Sequence, residues 1–255
     1  MTWLAVWLLG VGVADLLRAI DHRVVRRLAV PAGAVTVIGV ALLAGLNGAA
    51  DLIALLAALA PLAGWVALSE RSLSRGGGHV EALLLLGGTA VLLVALSGLA
   101  SSPGGLLGDW LDWADLPFSG ALSVERLLLV AGFFVANLAT GNVIVRLVLV
   151  SVGALRPSAK VVRADETQPS EKLKGGRLLG PMERVFILGL GLAGQITAAS
   201  IVIAAKGLIR FPELQSAKDD TTSVKGDGID EVTEYFLVGS FVSWLVALGS
   251  LALTR

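Results

Sequence analysis

"VFILGLGLAGQITAASIVIAA" occupies Val185–Ala205, and its reading decides the fold. None of its 21 residues carries a charge. About 20 predominantly apolar residues are enough for a helix to cross a bilayer. The stretch therefore reads as a membrane-spanning helix with Gln195 close to its middle. Immediately before it, "KLKGGRLLGPMER" gathers Lys172, Lys174, Arg177 and Arg184 around a single carboxylate, Glu183.

Working outward, the rest of the chain has the same texture. It is 255 residues long, 55% hydrophobic and only 16% charged, with a mean hydropathy of +0.82. Soluble domains are roughly 45–50% apolar and about 25% charged. Twenty basic and 20 acidic residues cancel, so bulk charge gives no reason to expect a nucleic-acid partner. The absence of cysteine excludes disulfides, thiol catalysis and cysteine metal sites. The bias toward Ala, Leu, Val, Gly and Arg resembles that of proteins from GC-rich bacteria. Multi-pass insertion in a bacterial inner membrane is the expected location.

Seven segments qualify as spans: Trp3–Leu17, Leu28–Leu46, Leu52–Leu68, Ala82–Ala100, Leu127–Val145, Val185–Ala205 and Tyr235–Leu253. Their apolar runs are continuous rather than alternating, so the fold class is all-α, a polytopic helix bundle. The opening "MTWLAVWLLGVGVADLL" has no basic residue before Arg18. It lacks the positive start of a signal peptide and reads as a retained first helix. Residues 1–155 form an expected five-helix bundle, 156–174 a polar cytoplasmic linker and 175–255 a transmembrane hairpin.

Lysine and arginine set the orientation. They fill the loop after the first span (Arg18, Arg23, Arg26, Arg27), the loop after the third (Arg71, Arg75) and the stretch from Arg146 to Arg184. The loops after the second and fourth spans have none. The N-terminus is then outside and the C-terminus inside. One loop conflicts: Lys206, Arg210, Lys218 and Lys225 fall on the expected outer side. A re-entrant sixth segment, or an early segment that does not span, would remove the conflict. Within the fourth loop, Leu106, Trp110 and Trp113 share one side of a short helix and Asp109, Asp112 and Asp115 another. That pattern suits a helix lying at the interface, with a lid over an external cavity as the functional alternative.

Polar residues inside spans are costly and mark candidate sites. Asp15 lies one turn before Arg18 and reads as a helix-end pair or an ion site. In the fifth span, Asn137 shares a side with Thr140 and Gly141, and Asn142 is placed to meet Arg146. These residues suit helix packing or a solute path. Pro181 is expected as the first residue of the sixth helix, with Glu183 in its first turn. Lys174, Arg177 and Arg184 then surround a helix start, either as a phosphate or lipid-headgroup site or as a cytoplasmic collar. Gly189, Ala193 and Thr197 form a ladder that matches Gly239, Ser243 and Ala247, which predicts an antiparallel pair of sixth and seventh helices with Gln195 in the contact or in a polar cavity. At the hairpin's end, ion pairs are expected among Lys206, Arg210, Glu231 and Glu234.

"KGGRLLGPMERV", "GQITAASIVIAAKGLIRF" and "EYFLVGSFVSWLVAL" together resemble the C-terminal membrane region of the bacterial family DUF3307, a domain of unknown function, over about Lys174 to Leu248. Gly176, Glu183, Arg184, Gly194, Gln195, Lys206, Arg210, Phe211, Glu234, Tyr235 and Gly239 carry the resemblance. It implies that the charged hairpin is a recurring unit and brings no activity with it.

No catalytic residue, metal or cofactor is expected. The chain has no H-E-x-x-H, G-x-S-x-G or Walker motif, and its two histidines, His22 and His79, fall in loops. Three readings follow. The first is a non-enzymatic transport or channel-accessory role using Asn137, Asn142, Gln195, Lys206 and Arg210. The second is a protein that binds or acts on an anionic, phosphate-headed lipid through Lys174, Arg177 and Arg184. The third is a scaffold that recruits a cytoplasmic protein through residues 156–174.

Overall fold

Long apolar runs with no alternation leave the backbone one economical way to satisfy its own hydrogen bonds, and the chain takes it. The structure is a computed structural model that describes residues 1–20, 22–114, 122–157, 176–219 and 228–254, with side chains described except at 176–177, 209–219 and 228–232. The described residues are all-α. The helices are α1 (Thr2–Ala19), α2 (Arg23–Arg27), α3 (Ala29–Leu43), α4 (Ala49–Arg75), α5 (His79–Ala95), α6 (Gly105–Ala114), α7 (Val124–Leu138), α8 (Thr140–Ser151), α9 (Gly176–Leu192), α10 (Ile196–Asp219) and α11 (Gly228–Thr254).

Among the described residues, three helices, α1, α4 and α11, are long and apolar enough to cross a membrane, and α7 with α8 makes a fourth if the pair counts as one broken span. The break falls at Ala139, where φ −115° and ψ −64° leave helical geometry. α3 and α5 are apolar but shorter.

The chain divides into two compact units. One comprises residues 1–68 and 81–140 and the other residues 69–80 and 141–253, with Thr254 joining the first. The linker at 158–174 lies outside the described residues. The boundary falls at Thr140, so α8 groups with the C-terminal helices.

In the first unit, α1 is the central element. Its apolar window is 67% buried, against 33% for α4 and 22% for α11, because α3, α4 and α7 all pack against it. A ladder of contacts shows α1 and α4 parallel: Trp3 Nε1 donates to Asp51 Oδ1 at 2.6 Å, Trp7 Nε1 to the Ala58 carbonyl at 3.0 Å, Trp65 Nε1 to Asp15 Oδ2 at 3.1 Å and Arg18 Nη1 to the Val66 carbonyl at 3.0 Å. α7 also runs parallel to α1, from the ion pair of the Met1 amino group with Glu125 to the packing of Gly12 on Val135. α3 runs antiparallel. A Cβ on Gly33 would lie 2.7 Å from the Gly10 carbonyl oxygen, and one on Gly132 would lie 2.8 Å from that of Ala5. These glycines let the backbones of α3 and α7 approach α1 closely.

In the second unit the direction of α11 follows from its neighbours. Tyr235 and Val238 pack on the cluster around Leu149 and Leu155, and Gly239 faces Val145 and Leu149. Further along α11, Ser243 meets Arg184, which also holds Asn142 at the start of α8. α8 and α11 are therefore antiparallel. α9 runs parallel to α11, since Glu183 and Arg184 meet Trp244 and Ser243 while Gly191 meets Leu251.

The decisive stretch departs from its expected form. Val185–Ala205 is not one helix. α9 ends at Leu192, and Gly194 takes φ +75°, a left-handed conformation favoured by glycine. The Gly194 N–H bonds the Gly191 carbonyl at 3.1 Å and the Gln195 N–H bonds the Leu190 carbonyl at 2.8 Å. This 5→2 and 6→1 pair is the Schellman ending of a helix. α10 then turns back antiparallel to α9. The Gly189–Ala193–Thr197 ladder is consequently broken, and Ala193, Gln195 and Thr197 are exposed. The expected antiparallel packing of sixth on seventh helix is replaced by the parallel contact of α9 with α11.

Candidate functional site

Folding Val185–Ala205 back on itself brings its two charged flanks together. Lys206 Nζ lies 2.6 Å from Glu183 Oε2, and Trp244 Nε1 donates to Glu183 Oε1 at 2.6 Å. Both carboxylate oxygens are thus engaged. Lys206 Nζ also lies 6.0 Å from the centre of the Trp244 ring, at the outer limit of a cation–π contact. The next residue points elsewhere. Arg184 Nη2 donates to Asn142 Oδ1 at 2.8 Å, and Nη1 donates to Ser243 Oγ at 3.1 Å.

Arg184 is only 1% exposed and Glu183 6%. Four helices therefore contribute to one interior polar cluster: α8 with Asn142, α9 with Glu183 and Arg184, α10 with Lys206, and α11 with Ser243 and Trp244. Ser243 and Trp244 sit near the middle of Thr233–Thr254, the apolar part of α11. The guanidinium lies against bare backbone: a Cβ on Gly141 would come within 2.6 Å of Arg184 Nε. Removing either member of such a buried ion pair costs several kcal/mol, because the other charge is left without compensation.

Several sequence expectations shift accordingly. Pro181 lies inside α9 rather than at its first position, because the helix already begins at Gly176. Glu183 is not a first-turn residue facing a helix end but the acceptor of the hairpin ion pair. Arg184 is enclosed between α8, α9 and α11 rather than standing in a surface collar. Asn142 reaches Arg184, and Arg146 is exposed on α8. Gln195 is exposed at the helix break, so it does not sit inside a helix contact. Glu234 is exposed on α11. Lys174 and Asp115 lie outside the described residues, as do the side chains of Arg177, Arg210 and Glu231.

Two polar clusters belong to the first unit. Asp15 is 3% exposed and pairs with Arg18 as the sequence spacing predicts. It also accepts from Trp65, a long-range partner the spacing does not reveal. Asn137, also fully buried, donates through Nδ2 to the Phe133 carbonyl at 2.8 Å, as a helix-internal bond. Asp51, which the sequence places only in a loop, is fully buried. It accepts from Trp3, from the Gly48 N–H at 3.2 Å and from the Ser101 N–H at 3.1 Å. These bonds make it a structural tie between α1 and α4. The signal for the missed partners was tryptophan itself. Trp3, Trp65 and Trp244 each place one N–H in an apolar segment, and a buried indole N–H takes an acceptor.

Among the described residues no group of three or more His, Cys, Asp or Glu side chains could hold a metal ion. Compared with known protein families, curated proteins and solved structures, the chain matches none.

Proposed function

We propose that the chain is a multi-pass protein of a bacterial inner membrane with a non-enzymatic transport or channel-accessory role, centred on Glu183, Arg184 and Lys206. The observation that carries this reading is the Glu183–Lys206 pair, held inside a broken, returning helical segment beside the middle of α11. Ionisable residues at membrane depth face a bundle interior or a polar path and mark transport pathways. Broken helices at that depth are likewise associated with binding sites in transporters.

The same hairpin supports a revised topology. With residues 176–219 re-entrant, α1, α3, α4, α5, α7–α8 and α11 make six crossings, and both termini lie outside. The parallel directions of α1, α4 and α7 and the opposite direction of α3 fit this alternation. So does the antiparallel pairing of α8 and α11, which a seventh full span between them would reverse. The stretch beyond Lys206, with Arg210, Lys218 and Lys225, moves to the inner side, in keeping with the positive-inside rule. The resemblance to DUF3307 fits as well, since Glu183, Arg184, Gly194 and Lys206 are among the positions that carry it.

The test is ion flux in proteoliposomes loaded with a pH-sensitive dye, under an imposed potassium diffusion potential. The expected result is proton movement driven by that potential in vesicles holding the wild-type chain, with Glu183→Gln reduced to the rate of empty vesicles while keeping its helical content. A wild-type rate equal to that of empty vesicles overturns the ion-path reading.

A further inference from the structure

α2 is a helix of five residues with no buried side chain, set between α1 and α3 in the first unit. A helix this short has little stability of its own in water. Its sequence, Arg23-Val-Val-Arg-Arg27, makes matters worse, because like charges three and four residues apart repel. Arg23, Arg26 and Arg27 are all exposed. Beside them stand two exposed apolar side chains four residues apart, Val24 at 59% and, at the helix end, Leu28 at 53%. Val24 and Leu28 fall on one side of the helix, and Arg23 and Arg27 form the adjoining strip.

A surface that is both cationic and apolar, at the mouth of an apolar helix, has a specific complement. We infer that α2 is a docking surface for the anionic phospholipid headgroups of the inner leaflet. The headgroup phosphates offset the arginine repulsion, and Val24 and Leu28 enter the boundary between headgroups and acyl chains. Basic residues at such a surface contribute about 1 kcal/mol each, and short amphipathic helices bind through this combination of buried apolar area and charge. The inference rests on the inner-membrane reading above; the site is separate from the Glu183 cluster, and its occupancy does not depend on the chain conducting ions.

The full chain purified in mild detergent is mixed with equal parts of phosphatidylglycerol and phosphatidylethanolamine, and retained lipid is counted by native mass spectrometry. The substitutions Arg23→Gln and Arg27→Gln together are expected to weaken phosphatidylglycerol retention about 25-fold, the equivalent of about 1 kcal/mol per arginine, and to leave phosphatidylethanolamine unchanged. The wild-type chain at high salt is expected to lose phosphatidylglycerol in the same selective way, a measurement that involves no altered fold. Retention of phosphatidylglycerol unaffected by the substitutions and by salt overturns the proposal. So does equal loss of both lipids.

Discussion

Glu183 Oε2 lies 2.6 Å from Lys206 Nζ, across a helix break that turns α10 back along α9. The pair closes the hairpin, and Trp244 fastens the same carboxylate to α11. The Lys206 side chain is 16% exposed and that of Glu183 6%. Glu183→Gln is expected to destabilise the protein by about 3 kcal/mol, the cost of stranding a buried ammonium. Adding Lys206→Met should restore much of that loss, because the two residues are coupled. Thermal melting of the single and double variants in detergent checks this, and additive losses would contradict the pairing.

Gly141 is where α8 admits the guanidinium of Arg184. A methyl group there would sit 2.6 Å from Arg184 Nε. Gly141→Ala should cost about 1–3 kcal/mol through overpacking, against a gain of less than about 1 kcal/mol from helix propensity. Urea or thermal denaturation decides between the two signs.

The return of the hairpin depends on Gly194 at φ +75°. Gly194→Ala is expected to cost about 1–2 kcal/mol, the strain of a side chain in left-handed backbone. Gln195→Leu should leave stability nearly unchanged, since that side chain is exposed. Melting curves that reverse this order would argue for a continuous helix through residue 194.

The parallel contact of α9 with α11 can be trapped directly, since the chain has no cysteine to interfere. Cysteines replacing Gly191 and Leu251, which face each other, should crosslink with copper phenanthroline in membranes. Cysteines replacing Ala193 and Ser243 should not, because Ser243 lies level with Arg184 instead. Crosslinking of the second pair alone would restore the antiparallel arrangement.

Asp15 ties α1 to α4 through Trp65 and is paired with Arg18. Asp15→Asn keeps an acceptor for the indole but leaves Arg18 without its carboxylate. A loss of about 3 kcal/mol is expected, visible as a lower melting temperature. Trp65→Phe, which removes the N–H donor and also shrinks a fully buried ring, should cost at least about 1–3 kcal/mol.

How much of this was legible beforehand depends on range. Asp15 with Arg18 was readable because both sit on one turn, and the all-α class was readable because the apolar runs never alternate. Gly194 was not, because in a stretch rich in Gly and Ala it looks like one more packing position. Only its bonds to Gly191 and Leu190 identify a helix end. Asn142 with Arg184, Trp3 with Asp51 and Glu183 with Trp244 join residues far apart in the chain, and no local spacing encodes them. The clue that was available lay in the basic residues after Lys206. They conflicted with a seventh crossing, and a returning sixth segment was already one way to resolve them.

The central position of α1 has a consequence for biogenesis. This helix precedes in the chain every neighbour that will enclose it, and its face toward Gly132 is covered only when α7 arrives. Until then the side of α1 that packs on Gly132 and Val135 stays open, although its tryptophan N–H groups and Asp15 already have their partners on α4. A nascent chain halted before Val124 would therefore carry a first helix with its polar groups satisfied and one apolar face still uncovered.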